Sequence, residues 1–250
     1  MANRILESLE PADLDAIRPH LRQVGLTAGT VLADPGDDIE RVYFPHSGII
    51  SFMVSLDDGS LVQTLMVGAD GVVGAAQALD DKTSLNKIVV QVQSSAAVID
   101  RDEIRRIARE RPNVRDLLAT HEQFVLADIQ QTAACNARHD IEQRCARWLM
   151  RMRDLIGEEL PITQEALAEM IGVRRTSVSR LALMLQQVGA IDYQRGNIKV
   201  TDADRLLASS CECHQAVRSN YKALFGWEWP RMYSIKEQSS GTKIVATRSP

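Results

Sequence analysis

The chain has 250 residues, 45% of them hydrophobic and 25% charged, with a formal net charge of -4, a composition typical of globular proteins and long enough for two ordinary domains. Four cysteines, Cys135, Cys145, Cys211 and Cys213, are too few and too unevenly spaced for a disulfide framework. No apolar run reaches the roughly 18 residues of a membrane helix, and the opening MANRILESLEPADLD carries acids where a secretion signal needs an apolar stretch, so no membrane partner is expected and the cytoplasm is the expected compartment.

A short amphipathic helix bearing Leu9, Leu14, Ile17 and Leu21 opens the chain. From Val24 to Asp100 the sequence reads as short strands rich in β-branched and aromatic residues, such as Val42-Tyr43-Phe44 and Ile49 to Val54, separated by turns at Asp34 to Asp38, Asp57 to Gly59 and Gly68 to Gly71; this spacing predicts a small double-sheet jelly roll. Helix follows from Asp102, and a long helix is expected just after Pro112, whose fixed φ suits a first turn. Val114, Leu118, His121, Val125 and Thr132 fall on one side of it. The seven-residue recurrence of Leu118, Val125 and Thr132 predicts pairing with the same helix of a second subunit.

Thr163 is placed to cap a helix from Gln164 to Ile171, Gly172-Val173 supplies a tight turn, and a second helix runs from about Arg174 to Val188, ending at Gly189. At 100° per residue Val178, Leu181, Ala182, Leu185 and Val188 share one face, while Arg175, Thr176, Ser179 and Leu183 share the other with Arg180 at its edge. Ile191 to Val200 reads as a β-hairpin turning at Gly196-Asn197, with Arg195 and Lys199 placed for phosphate. Helix, glycine turn, longer helix and basic hairpin in that order predict a winged helix-turn-helix that binds double-stranded DNA. Charge agrees with this division: residues 1–110 carry 10 Lys and Arg against 17 Asp and Glu, and residues 138–231 carry 14 against 12. A ligand-sensing module that acts on a protein partner is the alternative from another class.

The stretch Gly172-Val173-Arg174-Arg175-Thr176-Ser177-Val178-Ser179-Arg180-Leu181 resembles the recognition helix of the Crp/Fnr superfamily of transcription regulators, and Gly36 with Ile39, Val42 to Phe44 and Gly48 to Ile50 resemble the strands of its cyclic-nucleotide-binding fold. The resemblance spans most of residues 5–210. It implies an α+β chain with a sensor jelly roll over 1–110, a dimerisation helix over 111–137 and a winged helix-turn-helix over 138–231; the tail 232–250 has lost hydrophobic periodicity and is expected to be poorly ordered. By the same resemblance Thr163, Gln164, Arg174, Arg175, Thr176, Ser177, Ser179, Arg180, Arg195 and Lys199 are the expected DNA-binding residues, a homodimer on a palindromic operator is the expected state, and RNA polymerase is an expected partner. Thr176 stands where many members carry a base-reading glutamate, so their target sequence is not carried over.

Members that bind cyclic nucleotide hold the ribose with a glycine-glutamate pair and the phosphate with a downstream arginine. Here Gly74 is followed by Ala75, and Thr83-Ser84-Leu85-Asn86 has no arginine. Lys87 is a weak substitute, and a buried phosphate without a paired cation is costly to desolvate. The candidate effector pocket is therefore Gly74, Ala75, Ala76, Asn86 and Lys87, its effector unidentified. The N-terminal cysteine cluster of iron-sulfur relatives is missing, and Cys211-Glu212-Cys213-His214 reads as packing, because helix neighbours one or two apart do not face each other. No metal, cofactor or catalytic grouping is expected, and the chain is not expected to be an enzyme. Cys135 and Cys145 read as small apolar residues, His139 as an ordinary polar one, and Phe225, Trp227 and Trp229 as a cluster against the winged helix.

Overall fold

A computed structural model describes residues 3–80, 83–194 and 196–227. The single opening helix expected from the sequence is two: α1 (Arg4–Glu7), capped by the Asn3 side chain, which accepts from the N–H groups of Ile5 and Leu6, and α2 (Pro11–Ile17). Seven strands follow, β1 (Arg22–Leu26), β2 (Val31–Ala33), β3 (Arg41–Pro45), β4 (Ile49–Ser55), β5 (Leu61–Val67), β6 (Lys87–Val92) and β7 (Ser94–Asp100), with α3 (Ala75–Leu79) between β5 and β6. They form two antiparallel sheets, β1-β7-β3 and β2-β6-β4-β5. Side chains alternate across each strand, so Ile50, Leu65, Val67 and Ile88 meet in a buried cluster, while Val42, Phe44, Ala97 and Ile99 pack with the helices.

Two helices leave the roll, α4 (Arg101–Glu110) and α5 (Pro112–Arg138), and α6 (Ile141–Ile156) begins after an Asp140 cap. The last unit comprises β8 (Glu159–Leu160), α7 (Gln164–Ile171), α8 (Arg175–Gln187), β9 (Ile191–Gln194), β10 (Asn197–Val200) and α9 (Ala203–Ala208), and the third sheet has the order β8-β10-β9. Asn197 pairs with Gln194, so Asn197 belongs to β10 and not to the turn at Gly196-Asn197 read from the sequence. Arg195 and the tail 232–250 lie outside the described residues.

The chain ends its described course in α10 (Cys213–Phe225), which returns to pack along α5. Phe124 meets the Tyr221 ring edge-on at 5.1 Å between centroids, and Phe225 and Trp227 stack beside them. This aromatic cluster joins the core built by α4, α5 and the roll, so Phe225 and Trp227 do not pack on the winged helix as the sequence suggested; Trp229 lies outside the described residues.

The seam read on α5 is also corrected. Val114 and Leu118 are buried in the chain's own core. His121 is 1% exposed, its Nε2 accepting the Val72 N–H at 3.0 Å, and Thr132 accepts from Arg147 at 3.1 Å. Asp128, which interrupts the same face, is bound by Arg147, and burial pushes its carboxyl up against the pull of that guanidinium. Val125 is half-buried and packs on the strand cluster. The apolar positions left outward are one residue on, with Leu126 57% and Ile129 36% exposed.

Candidate nucleic-acid interface and sensor pocket

The helix-turn-helix is built by local signals. Thr163 Oγ1 accepts the Ala166 N–H at 3.1 Å and starts α7, and Gly172 ends it at φ +66, a left-handed conformation in which a side chain would be strained. Arg144 of α6 donates to the Ile171 carbonyl, tying that helix end to the unit's core. Helix α8 buries Val178, Leu181, Ala182 and Leu185, whereas Val188, read with them from the sequence, is 44% exposed.

The opposite face of α8 carries Arg175, Thr176, Ser179 and Arg180, all exposed, with Arg174 at its cap and Ser177 half-buried. Ser179 Oγ donates to Gln164 Oε1 at 2.7 Å, holding the two helices in register through residues expected to face DNA. Leu183 extends the same face at 56% exposure. Arginine forks and short hydroxyls on one exposed helix face are suited to base edges and phosphates in a major groove.

Two features near this face were not visible in the sequence. Lys199 of the wing pairs with Glu159 at 3.0 Å, and Asn197 donates to the same carboxylate at 2.9 Å. Those bonds hold the Glu159 carboxyl below, and the Lys199 ammonium above, their ordinary ranges, so Lys199 is already partnered. Secondly, the β4–β5 turn lies against the helix-turn-helix of its own chain, and Asp58, Leu61 and Val62 share an open cleft with Glu169, Arg174 and Arg175.

In the sensor, a cavity of about 520 Å³ is lined by Phe52, Leu65, Val72, Ile88, Val125 and Ile129 with Gly74, Ala76 and Asn86 at one side. Two expected pocket residues are elsewhere: Ala75 is buried in the core, and Lys87 reaches outward to Asp34 at 2.9 Å. Among the described lining residues the charged side chain is Glu122, and none is a cation.

Against known proteins, residues 23–111 match the cyclic nucleotide-binding domain and residues 143–209 the Crp-like helix-turn-helix domain. The chain belongs to the Crp/Fnr superfamily. It is 21% identical over 210 residues, 81% of this chain and 94% of the relative, to the CRP-like cAMP-activated global transcriptional regulator of Mycobacterium tuberculosis. Two solved structures share the fold: a putative Crp/Fnr regulator of Eubacterium rectale (TM-score 0.65, 18% identity, 82% of this chain and 96% of that one) and FixK2 of Bradyrhizobium japonicum (TM-score 0.66, 16% identity, 76% and 98%). The chain is thus a Crp-like transcription regulator with a helix-turn-helix DNA-binding domain, in a family of regulators rather than enzymes. Among the described residues no helix is long and apolar enough to cross a membrane.

Proposed function

We propose that this regulator acts in the cytoplasm as a homodimer that binds a palindromic operator sequence-specifically and contacts RNA polymerase, with residues 1–110 as sensor, 111–137 as dimerisation helix and 138–231 as DNA-binding unit. The observation that carries the reading is α8, apolar and buried on one side, with Arg175, Thr176, Ser179 and Arg180 exposed together on the other. Two such helices would enter successive major grooves about 34 Å apart. Arg174, Ser177 and the α7 start at Thr163 and Gln164 would position the phosphate backbone, joined by Arg195 and Lys199 of the wing. Leu126 of α5 supports pairing, since it stands exposed with Ala119 and Ala133 at seven-residue spacing beside Ile129.

The named relative is cAMP-activated; here the sensor cavity is mainly apolar, with Thr64, Gln77, Thr83, Ser84 and Asn86 as polar lining residues and Glu122 as the charged one. A carboxylate with no cation beside it disfavours a cyclic phosphate, and the effector of this reading is an uncharged, largely apolar small molecule.

Selection of bound duplexes from a random pool, then titration of the winner against salt, tests the DNA reading. A palindromic motif should emerge, and Arg175→Ala should weaken it by about 1–3 kcal/mol while relaxing one position per half-site. Failure to enrich any motif, with and without cell extract, would favour action on a protein partner.

A further inference from the structure

Cys135 lies in the last turn of α5, His139 just beyond it, Cys211 in the link from α9, and Cys213 at the first position of α10. The three thiols are buried, at 1%, 4% and 1% exposure, in a cluster of their own. The donor atoms of all four residues lie within 4.8 Å of one another. Cys135 Sγ is 3.5 Å from Cys211 Sγ, and Cys213 Sγ is 3.6 Å from His139 Nδ1. A tetrahedral zinc ion, with Zn–S of about 2.3 Å and Zn–N of about 2.0 Å, requires edges of roughly 3.8 Å between sulfurs and 3.6 Å between sulfur and nitrogen. The geometry points to a structural zinc site with the ligand set Cys135, His139, Cys211 and Cys213.

The surroundings support a ligand role. His139 turns Nδ1 inward, while its Nε2 sits 3.1 Å from Glu212 Oε1, the carboxylate contact that fixes tautomer and orientation in metal-bound histidines. Gln131 Nε2 donates to Cys213 Sγ at 3.0 Å, a hydrogen bond that orients this sulfur towards the other three donors. Three thiolates and an imidazole are soft and borderline donors suited to zinc, and four protein ligands close the shell, as in structural rather than catalytic sites. Four donors gathered this tightly surround a single ion; a multi-iron cluster needs its thiolates spread around a larger core. His214, the neighbour in sequence, points instead to Asp154 at 2.8 Å and is not a ligand.

Binding releases the thiol protons and joins the end of α5 to the start of α10, two segments about 75 positions apart, beside the turn into α6. Loading therefore fixes the long helix to the returning helix where the DNA-binding unit departs.

The full chain purified under reductant should carry one zinc per chain by elemental mass spectrometry, and chelator should lower its thermal midpoint. Cobalt exchanged into the site should give tetrahedral ligand-field bands and thiolate-to-cobalt charge transfer. Cys211→Ser should abolish stoichiometric metal. Glu212→Gln, an exposed change that leaves the fold intact, should weaken zinc about 10–100-fold. Four results would overturn the site: no bound metal with only the weak octahedral spectrum of hydrated cobalt, iron with acid-labile sulfide, a Cys135–Cys211 disulfide in place of metal, or unchanged zinc affinity in both variants.

Discussion

Lys199 shows how a charge legible in sequence can be spoken for in the fold. A wing lysine appears free for phosphate, yet Glu159, forty positions earlier in the two-residue strand β8, holds it at 3.0 Å. Each phosphate a protein neutralises adds about 0.9 to the slope of log affinity against log salt. Glu159→Gln should release Lys199, tighten DNA binding at low salt and steepen that slope by about one; an unchanged slope would mean that the wing does not touch the backbone. Cys145 is the opposite case, a group whose environment silences it. Its thiol is 1% exposed and burial pushes it up to about 12. At pH 8 only about one such thiol in ten thousand is ionised. Alkylation of the native protein at Cys145 should therefore be negligible and rise about tenfold per pH unit. Since the folded value lies above the ordinary one near 9, the stability linked to the neutral thiol is complete below pH 9 and is lost as pH climbs towards 12.

In the proposed homodimer helix α5 has two jobs, and its two apolar stripes lie one residue apart. Leu118 and Thr132 face the chain's own core and Arg147, whereas Ala119, Leu126 and Ala133 face out. Leu126→Glu should dissociate the dimer in analytical ultracentrifugation while shifting monomer stability by no more than about 0.5 kcal/mol. Leu118→Ala should cost about 2–5 kcal/mol in urea unfolding, through lost burial and the cavity left behind. If Leu118→Ala dissociated a stable monomer and Leu126→Glu did nothing, the seam would be the one read from sequence. That reading slipped because a heptad marks an apolar stripe and not its partner, and the partners here are the roll, for His121 and Val125, and α6, for Thr132, of the same chain. The local elements were readable for the complementary reason: the Thr163 cap, the Gly172 turn and the aliphatic face of α8 are set within a few residues. Cys135 and His139 could not be joined to Cys211 and Cys213 by spacing, and Cys211 escapes the rule against adjacent helix neighbours because it precedes α10. The sensor cavity was half legible, Gly74 and Asn86 by resemblance, Val125 and Ile129 only once α5 was placed over the roll.

Across the whole molecule, the two halves are joined by contacts that no domain boundary predicts. The turn after β5 meets α6 so closely that a Cβ on Gly68 would lie 2.7 Å from Leu155 Cδ2. Asp70 is the junction: its carboxylate binds Arg151 of α6 at 2.7 Å and the Gly68 N–H at 3.1 Å, while its carbonyl accepts from Tyr221 of α10 at 3.1 Å. Asp70 and Arg151 are 2% and 9% exposed, so each charge is stabilised by buried partners, the Gly68 N–H and the Met66 carbonyl as well as the other member of the pair. Asp70→Asn leaves the Arg151 guanidinium buried without this carboxylate and should cost about 3–5 kcal/mol. Arg151→Met should be of similar size, because it strands the anion. Combining them removes both charges, and a thioether of similar length fills the space, so the double variant should be more stable than the sum of the singles predicts by about 2 kcal/mol or more. Urea unfolding of the four proteins measures this directly. Additive losses would mean that the ion pair is incidental and that the other contacts of this junction, among them Gly68 with Leu155, hold the two halves. A large coupling term would show that the buried ion pair is itself one of the contacts joining the roll to α6, beside the Arg151 bond to the Met66 carbonyl and the packing of Leu155 on Gly68.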